Sequence, residues 1–416
     1  MKDAEPQIAV PEQEAATRTF RRRVFYLPGY DPIHPRRYRE LYRKEGAEQA
    51  DLSGYGLTLR PKKVKGPYGW QVEGVIEGRS AEADVEVLVW SDIVRDSMSG
   101  TIPATYLQLV RTAWAYIGSG ALFRLMRLRK GPMIAALYPI VFLLVQLALA
   151  CLLGWALGAL IAGLTHWTLG LAVAALVAVL VLRWFKAKDN KVFAWYLMHD
   201  YAYSAQSGGA NPPALEVRMA EFRTQIRAAL DQDYDEVLVV GHSSGAHLAV
   251  SILADLLREG LPERCPALSF LSLGQVVPMV SFLPNAARLR ADLRFMAAQE
   301  QVFWLDVTAP GDGCAFALCD PVSVSGMAPP DKKGPLVISA AFTRTLSPAK
   351  WQALKRRWFR LHFQYLCAFD NLADRADEYD YFRVTAGPLT LRERFAARPP
   401  SKSRIERAVN GYGSVA

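Results

Sequence analysis

Histidine is scarce in this chain: there are six among 416 residues. Any reaction that needs an imidazole therefore has few positions to use. Cysteine is also sparse. The five cysteines (Cys151, Cys265, Cys314, Cys319 and Cys367) are odd in number. Their spacing matches neither a disulfide framework nor a zinc site, which predicts reduced cytosolic thiols. The chain has no G-x-x-x-x-G-K-[S/T] loop, no H-E-x-x-H pair and no G-x-G-x-x-G after a strand. Nucleotide hydrolysis, zinc proteolysis and dinucleotide redox chemistry thus lack their signatures, and no cofactor or metal is expected. The opening "MKDAEPQIAVPEQEAATRTF" has no apolar h-region, so residues 1–20 read as a flexible cytoplasmic tail rather than a signal peptide.

A different absence dominates the middle of the chain. From Gly131 to Leu182, 52 residues pass without an Asp, Glu, Lys or Arg. A bilayer core needs about 20 apolar residues per helix, so the run is too long for one span and fits two with a tight turn. The first helix is expected near 133–161 and the second near 168–185. The turn "AGLTHWTLG" lies between them, with Trp155 and Trp167 suited to an interface. The net charge is +9, but the bases are dispersed and thicken only at "RLMRLRK" (124–130) and "RWFKAKDNK" (183–191). That pattern points to a membrane and not to nucleic acid. Bases at both ends of the hairpin and none in its turn put both termini and all the polar sequence in the cytoplasm. The preceding stretch 101–130 repeats apolar residues at helical spacing (Tyr106, Leu109, Val110, Ala113, Trp114, Ile117) before its basic end. It reads as an amphipathic juxtamembrane segment, lying either in the headgroup layer or against the folded domain.

Outside the hairpin, apolar β-rich runs alternate with helical ones. Strands are expected at 22–30, 85–94, 236–240, 267–278, 301–310 and 335–342, and helices at 35–49, 213–232 and from 245. Such alternation predicts an α/β fold with a mostly parallel sheet covered on both faces. The domain is read in two parts, 21–100 and 187–395, interrupted by the segment 101–130 and the hairpin 131–186. The stretch 396–416, "AARPPSKSRIERAVNGYGSVA", reads as a flexible C-terminal tail.

The sequence "EVLVVGHSSGAHLAVSILADLL" runs from a buried strand through Gly241-His242-Ser243-Ser244-Gly245 into a helix. This is the G-x-S-x-G nucleophile elbow in its strand–turn–helix setting. A nucleophile on so sharp a turn projects its hydroxyl from the sheet edge. Gly241 and Gly245 leave room where a Cβ would collide. Ser243 holds the central position. Ser244 would offer its backbone N–H to an oxyanion at the start of the helix.

At these residues the chain resembles the α/β-hydrolase superfamily, and the likeness extends over most of the sequence outside the hairpin and tails. The resemblance implies a triad in the order Ser, Asp or Glu, then His. Only His247 and His362 follow the elbow. His247 lies two residues into the elbow helix and reads as a core histidine, which leaves His362 as the implied base. It departs from the superfamily pattern by following a helical segment, "SPAKWQALKRRWF", instead of the last strand. For the acid, Asp312 in "GDGCAF" ranks first, ahead of Asp306 within the preceding strand and Asp320 before Pro321. The second oxyanion donor falls to Gly29 or Tyr30 in "FYLPGYDPIHP", where Pro28 stands in place of the superfamily's His. His34 in that loop reads as a loop residue.

The chemistry so implied is acyl transfer to water, with Ser243 as nucleophile, His362 as base and Asp312 as acid. A hairpin tether favours a substrate in the bilayer: a phospholipid, lysophospholipid, glyceride or other acyl ester. A thioester or peptide substrate stays open. A non-catalytic alternative keeps the fold as a membrane scaffold or lipid-binding module.

Overall fold

A computed structural model describes residues 18–62, 66–98, 100–373 and 377–415. Most of the expected N-terminal tail, 1–17, lies outside the described residues, and Phe20 already opens the first strand. The strands are β1 (Phe20–Leu27), β2 (Gly56–Pro61), β3 (Gly69–Ile76), β4 (Arg79–Val87), β5 (Glu236–His242), β6 (Ala267–Leu273), β7 (Val302–Thr308) and β8 (Leu336–Ser339). They form one eight-stranded sheet in the order β2-β3-β4-β1-β5-β6-β7-β8. Pairing is parallel from β4 through β1 to β8, and antiparallel at β2/β3 and β3/β4.

Alternate residues of the central strands feed two cores. Phe25, Leu27, Val237 and Val239 pack on one face. Helices α6 (Pro213–Leu230), α7 (Gly245–Arg258) and α8 (Ala287–Ala297) cover that face. Val24, Tyr26, Leu238 and Val240 pack on the other. There α1 (Arg36–Ser53), α9 (Trp358–His362), α10 (Tyr381–Ala386) and α11 (Leu391–Phe395) lie over the sheet. This is the period-2 logic of a strand buried on both sides. A buried ion pair joins neighbouring strands: Arg22 Nε on β1 meets Glu236 Oε2 on β5 at 2.5 Å. Arg22 also donates to Gly387 O at 2.7 Å.

The stretch from 396, expected to be flexible on its composition, is instead bound across the domain. Ser401 N–H donates to Val337 O at 2.9 Å and Ile405 N–H to Leu318 O at 2.7 Å. Asn410 Nδ2 donates to Ser281 O at 3.0 Å, and Arg290 Nε to Ser414 O at 2.9 Å. Backbone and polar side-chain bonds hold it where apolar content is low.

Between β4 and β5 the chain leaves the sheet. Beyond a short helix at Ser91–Ser97 come α2 (Ile102–Gly118), α3 (Lys130–Leu164) and α4 (Trp167–Ala187), and α5 (Ala194–Ala205) returns to the domain. α3 and α4 are long and apolar enough to cross a membrane. They turn at Thr165–His166, inside the expected turn. Their contact is built on small residues: a Cβ at Gly158 would stand 2.6 Å from Gly170 O, and one at Gly154 2.5 Å from Ala174 O. Gln146, Ala150, Gly154 and Gly158 form the buried stripe of the outer part of α3. Close backbone approach through small residues at i, i+4 is how helices associate where lipid removes the hydrophobic driving force. The inner part of α3 packs on the domain through Met133, Ala136 and Leu143. α2 buries Thr105, Leu109, Thr112 and Tyr116 and leaves Leu107, Val110, Trp114 and Ile117 exposed, so both of its faces carry apolar groups.

Candidate functional site

The sheet sets where a site can form. From β1 the chain builds β4, β3 and β2 to one side, and from β5 it builds β6 to β8 to the other. The loops leaving the C-terminal ends of β1 and β5 therefore diverge, and the crevice between them is where open α/β sheets take ligands. Gly29 and Tyr30 follow β1, and Ser243 and Ser244 follow β5.

Ser243 has φ of +57°, a conformation that costs a non-glycine residue about 1–2 kcal/mol. The surroundings hold it there. Ser243 N–H donates to Leu273 O at 2.9 Å, and Ala246 N–H donates to Ser243 O at 3.1 Å. A Cβ on Gly241 would lie 2.7 Å from Ala246 Cα, and one on Gly245 would run into Leu27 O and Pro28 O. Only glycine fits at either place. The serine is half-buried, with its side chain on a cavity.

Asp312 and His362 come together as expected. His362 Nδ1 lies 2.7 Å from Asp312 Oδ2, with both residues buried. Asp312 is further held by Tyr365 Oη, which donates at 3.0 Å, and by the Cys314 N–H at 2.9 Å to Oδ1. Burial alone would push this carboxyl up, but the His362 imidazole and these donors outweigh it and bring it below the usual carboxylate value. His362 does follow a helix, since it closes α9. Its place is fixed from below by His242, whose Nε2 donates to His362 O at 3.0 Å. Burial and the neighbouring His362 push His242 down to about 3, so it is neutral. The His362 Nε2 makes no hydrogen bond among the described residues, so the link to Ser243 Oγ is open in this structure, though both residues line the same cavity. Catalytic hydrogen bonds often tighten only around substrate.

The other candidates separate cleanly. Asp306 is buried in β7 and accepts from Ser272 Oγ at 2.6 Å; burial pushes it up to about 8. Asp320 caps a short helix through Val322 and Ser323 N–H and meets Lys332. His247 is buried in α7, and its burial lowers it to about 4. His34 sits in its loop with Nδ1 accepting from Arg36 N–H at 3.2 Å. Of the two early-loop donors, the Tyr30 N–H already bonds Ser244 Oγ at 2.9 Å. The Gly29 and Ser244 N–H groups have no acceptor among the described residues. Gly29 lies against Ser243, where a Cβ would stand 3.0 Å from Ser243 Cβ.

Tyr365, His242 and Asp200 were not singled out by sequence reasoning. No spacing rule marks a tyrosine that braces an acid across 53 residues. Cys314 is also close: Asp312, Cys314 and His362 offer ligand-type atoms within 4.8 Å of one another. Zinc bonds of about 2.0 Å at tetrahedral angles would space two ligands by about 3.3 Å. Asp312 and His362 stand closer, at 2.7 Å, so the cluster is a hydrogen-bonded pair with a thiol beside it.

Ser243 and His362 open into a cavity of about 810 Å³ with largely apolar and aromatic walls. Its far side reaches the foot of the helical hairpin at Pro132, Asn190 and Phe193. Such an arrangement can present a serine hydroxyl, a carboxylate-oriented imidazole and two backbone donors to one polar group with an apolar extension. The chain matches no family model, no curated protein and no solved structure.

Proposed function

We propose that the protein is a membrane-anchored serine hydrolase of α/β-hydrolase type that cleaves acyl esters of bilayer lipids. Ser243 attacks the carbonyl carbon and passes its proton to His362 Nε2. Asp312 keeps the imidazole in the Nδ1–H tautomer and stabilises the imidazolium. The Gly29 and Ser244 N–H groups receive the oxyanion. His362 then protonates the leaving alcohol, and water, deprotonated by the same imidazole, releases the acid. The observation that carries the reading is the 2.7 Å His362–Asp312 bond beside a serine held at φ +57° on one cavity.

The lipid half of the reading rests on the hairpin. The outer arm of α3, about 20 residues, is about 30 Å long, the thickness of a hydrocarbon core. Trp167 at the tip and Trp184 near the foot are both exposed, and bases gather only at the foot. Aromatic belts and the positive-inside rule then put the catalytic domain and both termini on the cytoplasmic side. The exposed stripe of α2 stands beside that foot: Tyr106 Oη donates to Leu143 O at 2.9 Å. Replacing 144–182 by a short polar linker should abolish hydrolysis of vesicle lipids and spare that of a soluble short-chain ester. Unchanged action on vesicles would remove the lipid assignment. The open Ser243–His362 link is the observation that favours the second reading, a lipid-binding scaffold with a silent serine.

A further inference from the structure

Four carboxylates line the cavity, at Asp31, Glu45, Asp189 and Asp200. Three are engaged. Asp31 pairs with Arg37 at 2.9 Å and accepts from Tyr38 Oη. Glu45 accepts from the Ala368 N–H at 3.2 Å. Asp189 accepts from the Trp195 and Tyr196 N–H groups at 2.9 and 3.0 Å. Asp200, on α5, has no hydrogen bond or ion pair with any described residue, although it borders both the main cavity and the small crevice behind Ser244. Burial pushes its carboxyl up to about 7, with His362 opposing. No base on the cavity wall is spare for it. Arg37 is held by Asp31 and lies 5.1 Å over the Phe363 ring, while Lys44 and Arg360 are exposed at the rim.

The surroundings of Asp200 are aromatic. Phe193 stacks on Phe359 at 5.4 Å, Phe359 meets Tyr196 at 5.9 Å, and Tyr196 meets Tyr30 at 6.3 Å. Tyr30 meets Tyr203 at 5.5 Å, and both rings border the crevice with Asp200. A carboxylate with no counter-ion is costly in such a place. Aromatic faces and one carboxylate together form a setting that attracts a cation shed of its water.

We infer that Asp200 and this aromatic wall bind an ammonium group, quaternary or primary, on the alcohol side of the substrate ester. The inference rests on the hydrolase reading of Ser243 and names its substrate class. The ammonium sits at Asp200 beside Tyr30 and Tyr203, and the ester at Ser243.

The test compares dodecanoylcholine with 3,3-dimethylbutyl dodecanoate, an isostere with carbon in place of the charged nitrogen. The full-length protein in detergent should favour the choline ester in kcat/KM by about tenfold, and Asp200→Asn should collapse the ratio towards one. A wild-type ratio near one, or one unchanged in Asp200→Asn, overturns the inference. A matching preference for lysophosphatidylcholine over lysophosphatidylglycerol in mixed micelles assigns the cation to a lipid headgroup; preference among the soluble esters only assigns it to a free ammonium alcohol. Fluorophosphonate labelling of Ser243 separates the two claims, because a protein that labels but shows no preference loses only this one. Benzyltrimethylammonium binding, followed by saturation-transfer NMR against neopentylbenzene, reads the site without turnover. Binding should weaken about tenfold in Asp200→Asn, and equal binding of both probes overturns the inference even in a protein that does not label.

Discussion

Replacing Asp312 by Asn changes one atom and leaves no good arrangement. If the amide oxygen keeps the place of Oδ2, it still accepts from His362 Nδ1 and Tyr365 Oη, but the NH2 then faces the Cys314 N–H, donor against donor. If the amide flips, Cys314 is satisfied and the NH2 meets Nδ1, which forces the imidazole into the Nε2–H tautomer that cannot accept the Ser243 proton. Either choice leaves a buried donor unmet, at about 1–3 kcal/mol of stability. On the proposed mechanism the larger effect is on the reaction. The imidazolium formed with the tetrahedral intermediate loses a negative partner about 4 Å away, worth about 4 kcal/mol at an effective dielectric constant near 20. At about 1.4 kcal/mol per decade this predicts a fall of about 10³-fold. The assay is the rate of fluorophosphonate labelling in detergent, with near-ultraviolet circular dichroism to confirm the fold. An Asp312→Asn protein that folds and labels within threefold of wild type would refute the assignment of the acid.

Three further outcomes follow from the same geometry. Gly29→Ala places a methyl 3.0 Å from Ser243 Cβ and 3.2 Å from Ser244 Oγ; labelling should slow about 10–100-fold as the oxyanion loop is displaced, and an unchanged rate would exclude this loop from the site. Arg22→Met strands the Glu236 carboxylate, so urea titration should show a loss of about 3–5 kcal/mol, with labelling per folded molecule unchanged; a smaller loss would mean that water reaches the pair. Asp306, at about 8 in the folded protein, holds a proton there that it gives up in the unfolded chain above its ordinary value of 3.8. Its contribution to stability is therefore complete below pH 4 and declines as pH rises to about 8. Asp306→Asn should flatten that decline in thermal melts across the window, and an identical slope would show that Asp306 is ionised in the fold.

Which parts of this could be read from the sequence follows from what each residue must satisfy. The central strands β5 to β7 are buried on both faces and appear as unbroken apolar runs. β2 and β3 escaped notice because "GLTLRP" and "GWQVEGVI" lie at an edge of the sheet and mix polar with apolar residues. β4 was expected at 85–94 but runs 79–87, since "RSAEADVEV" hides its alternation behind acids, and 91–97 turns helical. The two long apolar helices were legible from a run of 52 residues without Asp, Glu, Lys or Arg, and the elbow because only glycine fits beside Leu27 O and Ala246. Asp312 stood out as a candidate by its flanking glycines. Tyr365 and Asp200 did not, because bracing an acid and lining a cavity depend on segments distant in sequence, and neither role imposes a spacing.

The most direct test of the account is the mass of the protein after treatment with a fluorophosphonate, followed by peptide mapping. The account predicts a single adduct on Ser243, absent from Ser243→Ala and slowed in His362→Ala. A folded wild-type protein that takes up no adduct, or carries it on another serine, would contradict it.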